Sequence, residues 1–140
     1  MKLYTSYWAQ VRKFPTNLVG LNTTVWPPKY RPLGTDSRGV LVLNCKPLVP
    51  GRECEYLCRG TCEPPHPSDC AFLQTYRKQL DKLNFDEFYS YLQVLSKKHN
   101  DCDFAFIVFE VPTRACSERV PIQNWIRDHG LEIEEWQPSI

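Results

Sequence analysis

Phe104-Ala105-Phe106-Ile107-Val108-Phe109 is six apolar residues in succession. An unbroken run of that length, where an exposed strand would alternate, marks a strand buried on both faces of a sheet. Such a strand needs cover above and below, so it commits the chain to an α/β architecture with a mostly parallel central sheet flanked by helices. The next residues sharpen the expectation. Residues 110–119 form a polar loop, and Ile122, Trp125 and Ile126 then recur at helical spacing. Strand, loop and helix in that order put the loop at the C-terminal edge of the sheet, facing a helix N-terminus, where open α/β sheets bind their ligands.

The remaining residues fit around that strand as a single domain of 140 residues. Residues 3–7 read as a first strand ending near Thr5 and Ser6, short hydroxyl residues that serve equally as ligand contacts or as turn residues. A second strand is expected over 18–25 and a short buried run over 40–43. Between them, Trp26-Pro27-Pro28-Lys29-Tyr30-Arg31-Pro32 sets two aromatics and two cations on a stiff, extended backbone. That loop either stacks on a base or holds a phosphate, or it is a proline-stiffened surface loop. Phe72, Tyr76, Leu80 and Leu83 make the core stripe of a helix over about 69–83. Asn84 is placed to cap a second helix with Glu87 in capping-box position, and Phe85, Phe88, Leu92 and Leu95 form its buried face. A third helix ends at about His129, before Gly130. Its start is ambiguous: Ser117 is the better cap, but Pro121 would then cost one backbone bond. Residues 131–136 alternate like a closing edge strand.

Charge excludes several functions. Seventeen basic and sixteen acidic residues leave a net charge of +1, so nothing draws the whole molecule to nucleic acid or an anionic membrane. No apolar run is long enough to span a bilayer. The first residues turn polar at once, as a signal-peptide core would not, so the expected location is cytoplasmic. In that setting seven cysteines read as thiols, metal ligands or core filler ahead of disulfides. Five of them, with five prolines, lie in residues 45–70, a cysteine-rich loop insertion. Cys54, Cys58, Cys62 and Cys70 stand as C-x3-C-x3-C-x7-C, with Cys45 and His66 as possible substitutes. Four soft ligands on a segment too rich in proline to pack suit a structural, tetrahedral zinc; an iron–sulfur cluster or free thiols are the alternatives.

Tyr4-Thr5-Ser6-Tyr7, the Trp26-Pro27-Pro28 loop, and the series Glu110, Cys116-Ser117-Glu118-Arg119, Trp125-Ile126 and Glu135-Trp136 resemble a bacterial and phage family, domain of unknown function 488. The resemblance covers most of the chain and implies an α/β fold with a mostly parallel sheet. It implies functional positions at a glutamate after the central strand and a Cys-His-Arg at the helix start. Glu110, Arg119 and Trp125 match this pattern. The family's Cys-His falls on Ser117-Glu118, with Cys116 one place early, so either the loop carries one inserted residue or the thiol has been replaced.

Three readings of this loop follow. In the sharpest, Cys116 is a nucleophile, its thiol eased toward ionisation by Arg114, Arg119 and a helix N-terminus, with Glu110 assisting. In the second, Arg114, Ser117 and Arg119 hold an anion or nucleotide in a cleft shared with Thr5, Ser6 and Trp26, and Glu110 orients it. In the third, Glu110 and Arg119 are a buried pair bracing the strand–helix junction. The expected function is binding of, and action on, a nucleotide or nucleic-acid-linked anionic substrate. The alternative is a non-catalytic phage or bacterial protein that binds a host protein. An aromatic cluster beside the loop would favour a ligand cleft, and a flat exposed aromatic patch a protein partner.

Overall fold

The apolar run forms the strand β5 (Asp103–Val108), with Phe104, Ala105, Phe106, Ile107 and Val108 all fully buried. The computed structural model describes residues 1–54, 57, 70–113 and 117–139. In it β5 pairs in parallel with β1 (Leu3–Tyr7) on one side and β2 (Leu18–Asn22) on the other. Phe109 leaves the strand and is half-exposed, because β1 ends opposite Val108 and offers it no neighbour.

The sheet has six strands in the order β3 (Gly34–Thr35), β4 (Leu41–Asn44), β2, β5, β1, β6 (Glu134–Glu135). All pairings are parallel except that of the edge strand β3 with β4. β3 escapes the sequence reading because two residues carry no periodicity. It is created by a turn in which Asp36 Oδ1 accepts from the main-chain N–H groups of Arg38 and Val40 and Gly39 takes φ +86°. β2 stops short of the expected 25 because Asn22 Oδ1 accepts from Thr24 N at 2.9 Å, closing a turn where a ladder bond would continue.

Among the described residues three helices cover one face: α1 (Ala71–Asp81), α2 (Phe85–Lys98) and α3 (Arg119–Asp128). Their stripes, Tyr76 and Leu80, then Phe85, Phe88, Leu92 and Leu95, then Ile122, Trp125 and Ile126, pack with Leu3, Leu21, Phe104 and Phe106. The other face carries a 3-10 turn, Trp8–Lys13, whose Trp8 and Val11 pack with Phe14, Val42, Ile107 and Trp136. The expected cap of α2 is present: Asn84 Oδ1 accepts from Glu87 N at 3.1 Å. The start of α3 resolves the proline question. Its first α-helical bond runs from Ile122 N to Glu118 O, so Pro121 sits within the opening turn, where an N–H has no helical acceptor to lose. Among the described residues no helix is long and apolar enough to cross a membrane.

After β1 the chain moves toward β2 across the 3-10 face; after β5 it moves the opposite way, through α3, to β6. β1 and β5 are neighbours, so the two connections leave adjacent strand ends toward opposite faces of the sheet, the arrangement that marks a ligand edge in open α/β sheets.

Candidate functional site at the C-terminal edge of the sheet

Arg119, the first residue of α3, lies at this edge with only 5 % of its surface exposed. Ser117 Oγ accepts from Arg119 N at 3.1 Å and so satisfies one of the free donors of the helix start. The guanidinium has four contacts among the described residues, one of them a long donation from Nη2 to Glu135 Oε2 at 3.4 Å. Nε donates to Glu135 Oε1 at 2.7 Å, Nη2 donates to the main-chain oxygen of Glu110 at 2.7 Å, and the group stands 5.8 Å from the centre of the Tyr7 ring. Tyr7 is itself held by Gln10, whose Nε2 donates to its hydroxyl. The ion-pair partner of Arg119 is therefore the Glu135 carboxylate, while Glu110 contributes its carbonyl and a more distant charge.

Thr5 extends the network. It lies opposite Glu135 in the β1–β6 register, donates through Oγ1 to Glu135 Oε1 at 2.8 Å, and accepts from Gln123 Nε2 at 2.7 Å. Ser6 points to the opposite face, as alternation along a strand requires, and its buried Oγ has no partner among the described residues. The four aromatics near the strand ends do not form one group. Tyr7 lies under Arg119, Trp8 is buried and donates to Thr24 Oγ1, and Trp26 and Tyr30 are 81 % and 74 % exposed.

Two buried polar atoms at the loop end lack partners among the described residues, Arg119 Nη1 and Glu118 Oε2. Burial, reinforced by the neighbouring charge of Glu110, pushes the Glu118 carboxyl up to about 8, so it is mostly protonated at pH 7. Burial raises Glu110 as well, opposed in part by Arg119. The cluster thus holds one guanidinium paired with the Glu135 carboxylate, the Glu110 carboxyl further off, and a neutral acid beside them.

Arg114 and Cys116 lie outside the described residues, as do Cys58, Cys62 and His66. Of the cysteine series, Cys54 and Cys70 are both buried free thiols, and burial raises the Cys54 thiol above its ordinary value. Among the described residues no three His, Cys, Asp or Glu side chains stand close enough to hold a metal. Sequence reasoning assigned no contact in this network to Glu135, Gln123, Tyr7 or Glu118, although three of them stand in the motifs quoted above. For Glu135 a signal exists: it shares the alternating phase of Leu131 and Ile133, the core-facing phase, where a carboxylate needs a buried cation. Compared with protein-family models, with curated proteins and with solved structures, the chain matches none, and the likeness to domain of unknown function 488 rests on the sequence motifs alone.

Proposed function

We propose that the chain binds a small ligand bearing an anionic oxygen, a phosphate or nucleotide, at the C-terminal edge of the sheet. The observation that carries this reading is Arg119 Nη1: a charged donor, buried at that edge, with no partner among the described residues. Buried donors rarely stay unpaired, and a charge-assisted contact from a fixed guanidinium is worth roughly 1.5–3 kcal/mol. Glu118 supports the reading because its protonated form adds a second donor and removes a charge that would repel the ligand. Thr5 and Gln123 fix Glu135, and Glu135 fixes Arg119, so the donor is held in place before the ligand arrives.

A second reading makes the same site catalytic. Two neighbouring carboxyls raised by burial, one of them neutral at pH 7, are suited to proton transfer: Glu118 donates to a ligand oxygen and Glu110 accepts. Thermal melts with inorganic phosphate and a nucleotide panel test the binding common to both. Ligand should raise the melting temperature of the parent protein, and Arg119→Lys should weaken binding several-fold to a hundredfold, since a point charge cannot replace a planar fork. No stabilisation of the parent by any of these ligands would remove the anion site.

A further inference from the structure

On the face opposite α1–α3, a cavity of about 500 Å³ opens between the 3-10 turn and the loop that precedes β4. Trp8 and Val11, both buried, line its inner side, and Tyr30, 74 % exposed, stands at its mouth. Arg12, Arg31 and Arg38 surround it against a single carboxylate, Asp36. That carboxylate is held ionised, chiefly by the Val40 N–H, and is occupied by Arg38 at 3.4 Å and, more loosely, Arg31 at 3.9 Å. Arg31 is otherwise spent on the loop itself, donating to the carbonyls of Pro32, Gly34 and Val40. Arg38 donates to Val11 O but keeps its side chain 44 % exposed, and Arg12 is exposed with no ion-pair partner among the described residues. The walls are firm. The Trp8 indole is fixed by its bond to Thr24, and Tyr30 lies in a tight turn closed by Arg31 N to Pro28 O at 3.1 Å between prolines.

The volume falls within the range of about 300–1,000 Å³ usual for small-ligand sites. An apolar base, an exposed ring at the mouth and an excess of guanidinium groups select for a flat, apolar body with a negative charge at one end. We propose that this groove binds a planar heteroaromatic ring bearing one anionic group, the chemistry of a nucleoside monophosphate. It shares no residue with the Arg119 cluster and does not depend on that site being occupied.

Titration calorimetry with AMP tests this on the parent protein and on Arg12→Ala, Tyr30→Ala and Arg119→Lys. Arg12 and Tyr30 are exposed, so both alanine variants should melt as the parent does. The expected result is saturable binding of AMP that persists in Arg119→Lys, whatever edge-site component that variant removes, and that is weakened about tenfold by each alanine variant through loss of a charge or stacking contact. Adenosine and inorganic phosphate, each with half of the recognised chemistry, should bind more weakly than AMP. Absence of saturable binding at millimolar AMP overturns the proposal, as does binding undiminished in both alanine variants or lost only in Arg119→Lys. Tighter binding of a short single-stranded oligonucleotide than of AMP would overturn it in favour of a nucleic-acid surface.

Discussion

Replacing Glu135 by alanine should destabilise the protein far more than removing an edge-strand side chain ordinarily does. The pair it forms with Arg119 is sequestered, with side-chain exposures of 6 % for Arg119 and 16 % for Glu135. Two N–H groups reach the two carboxylate oxygens at 2.7 and 3.4 Å, and Thr5 donates to one of them. Without the carboxylate, the guanidinium keeps the Glu110 carbonyl and the Tyr7 ring, neither of which carries a formal charge. Stranding a buried charge costs about 3–5 kcal/mol. The more distant Glu110 carboxyl, which interacts with the same guanidinium, offsets part of that charge and places the expected loss toward the lower end of the range. For a chain of this size, about 3 kcal/mol corresponds to roughly 10 °C in melting temperature. The double variant Arg119→Met/Glu135→Leu should recover most of the loss, because it removes both desolvation penalties together. Urea denaturation at pH 7 of the parent, Glu135→Ala, the component singles Arg119→Met and Glu135→Leu, and the double gives both the loss and the coupling. A loss below about 1 kcal/mol in Glu135→Ala, the range of exposed pairs, would refute the reasoning, and so would a double variant no better than the single.

Three further outcomes follow. Glu118 titrates near 8 when folded and near its ordinary 4.5 when unfolded, so between these values the folded state holds the extra proton; stability should fall as pH rises from about 5 to 8 and level off beyond. Glu118→Gln should flatten that slope in melts run across the range. Gly20→Ala should cost about 1–3 kcal/mol in denaturant titrations, since its Cβ would lie 2.5 Å from Ile107 Cδ1 and 3.1 Å from Val42 Cγ2 in the middle of the sheet. We also propose the structural zinc of the cysteine series: elemental analysis of protein purified without chelator should find about one equivalent per chain, and none would dispose of it.

The central strand and its neighbours were legible because burial on two faces leaves no freedom in composition: five consecutive residues of β5 with no exposed surface can only be apolar. The helices were legible for a related reason, since Tyr76 and Leu80, or Phe88 and Leu92, recur every fourth residue against one sheet face. Local hydrogen bonding was readable only where its chemistry is stereotyped. Asn84 announced its helix, but the turn at Asn22 that ends β2 looks in sequence like more strand, because Thr23, Thr24 and Val25 all favour extended backbone. The pairing of Arg119 was the hardest feature to anticipate. Its partner lies sixteen residues on, across a helix, and is chosen by the register that sets Thr5 opposite Glu135. Nearness in sequence favoured Glu110, whose carbonyl does reach Arg119 but whose carboxyl is not its ion-pair partner.

The charge balance of the edge site links binding to protonation. With Glu110, Glu118 and Glu135 all ionised around one guanidinium, an incoming anion would meet an excess of negative charge in a poorly hydrated setting. With Glu118 protonated, one of those negative charges is gone, the guanidinium stands against Glu135 and the more distant Glu110, and the neutral acid offers a hydrogen. An anion bound at Arg119 must then favour the protonated acid further, and by reciprocity the protonated acid must favour the anion. Under our proposal, phosphate binding therefore takes up protons near pH 8, and affinity falls by up to about tenfold per pH unit above that value. Calorimetry of phosphate binding in two buffers of different ionisation enthalpy measures the uptake. Glu118→Gln keeps the neutral form at every pH, so it should bind without proton uptake and with affinity that no longer declines through pH 8. Binding that is indifferent to pH in the parent protein would mean that Glu118 does not face the ligand, and that Arg119 recognises it alone.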